Sequence, residues 1–134
     1  MNINDMLMPS ETIYPSQGER LSAEKMAKLV MNLSPGDGFT IAPDGTPAAP
    51  KGYALAQPNT VSYAVDHQSV TQWYTSQTLP DNAYIGGWHD PKTGTREVNV
   101  SYVLAVLQRA EELCRKLGED AIFDLANGEN IYVS

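Results

Sequence analysis

The stretch from Tyr84 to Ser134 constrains the fold more than any other, because it reads as hairpin, helix, hairpin. Its closing segment, DAIFDLANGENIYVS, contains Asn127-Gly128. That pair suits a two-residue type I′ turn, in which both central positions take positive φ. Such a turn predicts Ile122 and Asp124 on one face with Ile131 and Val133, and Phe123 and Leu125 on the other with Tyr132. Both faces are mostly apolar, so part of this hairpin is expected to be covered on both sides. The opening hairpin turns at Asp90-Pro91-Lys92-Thr93-Gly94. There the proline sets one dihedral, the glycine supplies a left-handed position, and the length suits a bulged turn.

Between the hairpins, the spacing of Val103, Val106, Leu107, Ala110, Leu113, Cys114 and Leu117 predicts a helix with one apolar side. Glu111 and Glu112 precede Arg115 and Lys116 by one helical turn, and Gly118 stands where a left-handed cap belongs. Upstream, Ser22 caps a helix running to Leu33, with Met26, Leu29, Val30 and Leu33 as its inner stripe. Gly38–Ile41 reads as a short strand and Pro43–Thr46 as a turn. Gly52–Ala56 and Thr60–Val65 are expected to pair with each other around Gln57-Pro58-Asn59, with Val61, Tyr63 and Val65 facing inward. Asp66 caps a second helix from His67 to about Gln77, burying Val70, Trp73 and Tyr74. The fold class is therefore α+β, a mainly antiparallel sheet with about three helices in a single domain. Residues 1–20 are aperiodic and are expected as a flexible N-terminal arm, leaving 21–134 as the domain.

Nine basic residues against 16 acidic ones leave a net charge of −7. A surface of that sign repels phosphate backbones, so no direct nucleic-acid binding is expected. No run approaches the ~20 apolar residues needed to span a bilayer, and no basic-then-apolar leader is present. A cytoplasmic location, with no membrane partner, is the expectation. Cys114, the single cysteine, lies on the apolar side of its helix and reads as a core residue.

Chemistry-bearing patterns are sparse. His67 and His89 are the only histidines, and neither has a ligand partner at helical spacing. Asp90-Pro91 is ordinary turn chemistry, no Gly-x-Ser-x-Gly elbow occurs, and Gly86-Gly87 lies in a strand pattern, where it marks a bulge or a close approach. No catalytic residue, metal or cofactor is expected. Large amphipathic rings remain: Tyr53, Tyr63, Trp73, Tyr74, Tyr84, Trp88 and Tyr132. Trp73 is expected in the core, while Trp88 is open between core and surface. Trp88, His89, Asp90, Tyr53 and Tyr84 are the candidate binding residues.

From Gly38 to Val133 the chain resembles a small domain of bacteriophage and mobile-element proteins. The residues carrying the likeness are Tyr84-Ile85-Gly86-Gly87-Trp88, Asp90-Pro91 with Gly94, and Ala121-Ile122-Phe123-Asp124-Leu125 with Gly128-Glu129. The resemblance implies a phage or mobile-element setting and no catalytic residues. The expected function is accordingly a non-enzymatic accessory protein that binds another protein, in its most concrete form an anti-CRISPR-like inhibitor of a host defence complex. The alternatives are a structural or assembly module that self-associates into a homo-oligomer, and a small enzyme using His89 and Asp90.

Overall fold

The computed structural model describes residues 1–64 and 66–133. Its elements follow in the order α1 (Ala23–Met31), β1 (Gly38–Ile41), β2 (Tyr53–Ala56), β3 (Ser62–Ala64), α2 (His67–Ser76), β4 (Tyr84–His89), β5 (Arg96–Leu104), α3 (Leu107–Leu117), β6 (Ala121–Asp124) and β7 (Glu129–Tyr132). The seven strands form one sheet in the order β1-β4-β5-β2-β6-β7, with β3 also paired to β5. Every pairing is antiparallel. The α+β class expected from the sequence is the one observed.

β5 is the central strand. β4 runs along one of its edges, from Tyr84 opposite Ser101 to His89 opposite Arg96. The other edge is shared by two short strands placed end to end: β3 beside Arg96–Val98 and β2 beside Ser101–Leu104. The sequence predicted that these two strands pair with each other. They do not, because Pro58–Thr60 forms a 3-10 turn that carries the chain along β5 instead of reversing it. At the break, the Thr60 hydroxyl accepts from Val100 N (2.9 Å) and Gln57 N donates to Val100 O (2.8 Å). The backbone of β5 is thus satisfied where no strand lies beside it.

All three helices pack on one face of this sheet. Met26, Ala27 and Val30 of α1, Val70, Trp73 and Tyr74 of α2, and Ala110, Leu113 and Cys114 of α3 join Ile41, Leu55, Ile85, Val98, Val100, Tyr102, Leu104 and Ile122 in the main core. Trp73 is in the core as expected, its indole N–H donating to Thr60 O at 2.7 Å. Ser22 and Asp66 cap α1 and α2 as their types predict, accepting from Lys25 N and Ser69 N. Leu29, expected on the inner stripe of α1, is instead exposed. The other face of the sheet has only a small cluster, Ala54, Tyr84 and Val103 with Ile13, Ala48, Phe123 and Leu125.

Three local expectations are corrected. The third helix begins at Leu107, because Val103 and Leu104 complete β5, with Ala54 and Tyr53 of β2 opposite them. The last hairpin has no two-residue turn. Asp124 pairs with Glu129, Gly128 alone takes positive φ (68°), and no non-glycine residue does. The Asp124 carboxylate organises the wider loop by accepting from Ala126 N, Asn127 N and the Asn127 amide. The pairing differs from the expected one by two residues, an even shift, so Ile122 still faces with Ile131 and the predicted faces survive. Tyr63, expected to face inward, is exposed, and Val65 lies outside the described residues.

Residues 1–20, expected as a flexible arm, are laid into the domain. Ile3 is fully buried in the main core. Its N–H donates to Gln57 Oε1 (2.6 Å), while Gln57 Nε2 donates to Met1 O (2.8 Å). Asn4 and Asn82 exchange side-chain hydrogen bonds, and Thr12 bridges to Leu104 at the end of β5. Arg109 on α3 clamps the segment, with Nε on Glu11 Oε2 (2.8 Å) and an NH2 group on Met6 O. Met6, Leu7 and Ile13 are partly buried as well, whereas Met8 and Tyr14 stay exposed. Ile3→Ala should cost about 2–5 kcal/mol in urea unfolding, the value for an isoleucine in a packed core. A cost near zero would return the segment to the status of a loose arm.

Candidate functional site

Alternation along β5 divides its residues between two environments. Val98, Val100, Tyr102 and Leu104 enter the helix-covered core, whereas Glu97, Asn99, Ser101 and Val103 face the side without helices. Ile13 and Phe123 cover the Val103 end of that side, and the Glu97 end is left open. There, Trp88 of β4 lies directly opposite Glu97, and Glu97 lies directly opposite Tyr63 of β3. Directly opposed residues share a face, so the three side chains form one cross-strand row. Trp88 is 43% exposed and Tyr63 68% exposed, on either side of the half-buried Glu97.

Two glycines shape this row. Gly38 pairs with Trp88, and a β-carbon there would stand 2.8 Å from the Gly87 carbonyl oxygen, so only glycine fits opposite the indole. Gly86 pairs with Asn99, whose amide occupies the space that a β-carbon there would need. On the opposite face the Phe39 ring takes the same space at Gly87. Of the two readings of Gly86-Gly87, close approach is the one realised, since the strand pairs without interruption from Tyr84 to His89. Seated over Gly86, the Asn99 amide donates to Glu97 Oε2 at 3.0 Å, and its oxygen accepts from the Ser101 hydroxyl.

A cleft of about 380 Å³ opens beside this row, lined by Ala56, Pro58, Val61, Tyr63, Glu97 and Glu119. It lies where β3 ends the line of β2, so it follows directly from the break in that edge of β5. Burial raises the Glu97 carboxyl pKa above the ordinary value of its kind, with the Asn99 hydrogen bond acting in the other direction. Burial also raises Glu119, with further contributions from the negative charges of Glu97 and Asp120. Two carboxylates therefore border the cleft, and none of its lining residues is a cation. A wider hollow of about 550 Å³ lies between α1 and the Pro43–Thr46 turn. Its carboxylate, Asp44, is already occupied by Ser16, Thr46 and Gly18, which lower its pKa to about 2.

The five candidate residues do not converge. Trp88 is on the open face. Tyr84 shares that face but is buried beneath the N-terminal segment, its hydroxyl donating to Ile13 O at 2.9 Å. Tyr53 is on the helix side, packed against the main core. His89 is buried on that side as well, with Nδ1 2.7 Å from Leu33 O. A carbonyl can only accept, so Nδ1 carries the proton. With Arg96, which donates to Met31 O, it satisfies the carbonyl end of α1. Asp90 accepts from Lys92 N inside its own turn. Cys114 is fully buried, and burial pushes its thiol pKa up, as for a core residue. Among the described residues, no three His, Cys, Asp or Glu side chains gather as a metal site.

Sequence reasoning missed Glu97, Asn99, Ser101, Tyr63 and Glu119. The signal was present in Arg96-Glu97-Val98-Asn99-Val100-Ser101, where polar residues alternate with valines and mark one strand face as unburied by helices. No family model matches the chain, and neither a curated protein nor a solved structure matches it.

A carboxyl with a folded pKa above its unfolded value favours the folded chain when protonated. Its ionisation therefore costs stability as pH rises from the ordinary carboxylate value through the raised one. Glu97→Gln should consequently raise the thermal midpoint at pH 7, and the gain should vanish below about pH 4. A midpoint at pH 7 equal to or below the wild-type value would show that this charge is not held at a cost.

Proposed function

We propose that this protein acts by binding another protein, presenting the helix-free face of its sheet to a basic surface of that partner. The observation that carries this reading is the Trp88–Glu97–Tyr63 row, two exposed rings flanking a carboxylate on a rigid strand scaffold. Tryptophan and tyrosine supply large contact areas at low cost in side-chain entropy and dominate many interface hot spots. By register, the described strand residues on this face include no lysine or arginine. With a net charge of −7 over the chain, a basic partner is the complementary one. His89 and Asp90 are engaged in a helix end and a turn, which favours binding over catalysis.

The phage or mobile-element setting implied by the resemblance makes the basic nucleic-acid groove of a host defence complex the specific partner we propose. Charge and context support that step. Titration of the isotope-labelled protein with a lysine- and arginine-rich peptide should give saturable NMR shifts at the Trp88 indole and around Tyr63. Trp88→Ala should weaken the complex by about 2 kcal/mol, roughly thirtyfold. Equal shifts with an acidic peptide, or shifts confined to other faces, would overturn the reading. So would concentration-dependent self-association through this face in sedimentation, which would instead indicate an assembly module.

A further inference from the structure

We propose that the cleft beside Tyr63 is an arginine pocket, built to receive one guanidinium side chain of the basic partner between Glu97 and Glu119. The inference rests on the protein-binding reading and adds to it the chemistry of the anchoring residue. The cleft wall formed by Ala56, Pro58 and Val61 is apolar, and the Tyr63 ring adds an aromatic surface. A long aliphatic stem with a charged, planar head matches that lining: the stem lies on the apolar wall, the head meets the carboxylates and the ring.

Two features favour arginine over lysine, and a hydrogen bond within the row readies the carboxylate for either. Two carboxylates reached from one position suit a planar fork of donors better than a point charge. A guanidinium also stacks on an aromatic face, which Tyr63 offers at the rim. Finally, Glu97 Oε2 already accepts from Asn99. That bond anchors the carboxylate on the strand and leaves its other oxygen, Oε1, for the incoming donor. Glu97 and Glu119 are both partly withdrawn from water, and the Glu97 charge adds to the cost of ionising Glu119. An entering cation offsets the repulsion between the two carboxylates with its opposite charge.

The test uses the full chain and three end-blocked nonapeptides, of arginine, lysine and citrulline, with Trp88 fluorescence and calorimetry as readouts. Nona-arginine should bind at least fivefold more tightly than nona-lysine, and nona-citrulline should not bind. Glu97→Gln and Glu119→Gln should each weaken nona-arginine at least fivefold. Glu129→Gln removes the same charge from an exposed position on the far strand β7 and should change binding less than twofold. Equal affinity for arginine and lysine, or an equal loss in all three variants, would overturn the pocket while leaving a basic-partner face intact. Failure of both cationic peptides to bind would overturn the pocket and the proposed function together. Folding of each variant is checked by its thermal midpoint, which Glu97→Gln is expected to raise.

Discussion

A nine-residue strand whose last seven residues are buried must have its backbone groups hydrogen-bonded within the protein, and β5 is that strand. Its needs organise the molecule. β4 supplies one edge without a break, whereas the other is assembled from β2, β3 and the Gln57–Thr60 turn between them. Thr60 illustrates the economy of that turn: its hydroxyl stands in for a strand partner at Val100, and its carbonyl receives the indole of Trp73 from α2. One residue thereby ties the sheet to its helical layer. Loss of its hydroxyl would leave a buried N–H unpaired, which costs about 1–3 kcal/mol.

The interrupted edge also places the proposed binding surface. An edge strand as long as β5 would have closed the sheet beside Asn99 and Val100. The short β3 supports Tyr63 but leaves a notch toward Glu119. On the other side of the row, the bare α-carbon of Gly86 admits the Asn99 amide, which holds the Glu97 carboxylate. Local omissions, a missing strand partner and a missing side chain, do as much to shape this surface as the residues that line it.

Much of the architecture was legible in the sequence because local chemistry and tertiary need agreed. Ser22, Asp66 and Gly118 cap helices as their side chains or backbone freedom dictate, and the Asp90–Gly94 loop joins two strands. Failures came where pairing, not propensity, decided the outcome. Val103 and Leu104 fit a helical stripe and a strand equally well, and the unmet hydrogen bonds of β2 assign them to β5. Gln57-Pro58-Asn59 looks like a hairpin turn until a long neighbouring strand offers both flanks a place. The proposed site was obscured for the same reason. Trp88, Glu97 and Tyr63 are distant or differently spaced in the chain, and only the register of three strands sets them in a row. His89 stood out by residue type, yet its partner, Leu33 O, belongs to a helix end that sequence does not bring near it.

The burial of the first residues has a consequence for how the chain assembles during synthesis. Ile3 leaves the ribosome before its partners, which belong to Gln57 and to the later core, and the Arg109 clamp emerges later still. Until then the segment around Ile3 has no core to dock on, so closure of the domain is a late, long-range event. A chaperone surface that shields Ile3 would act in the interval between the synthesis of residue 3 and that of residue 109.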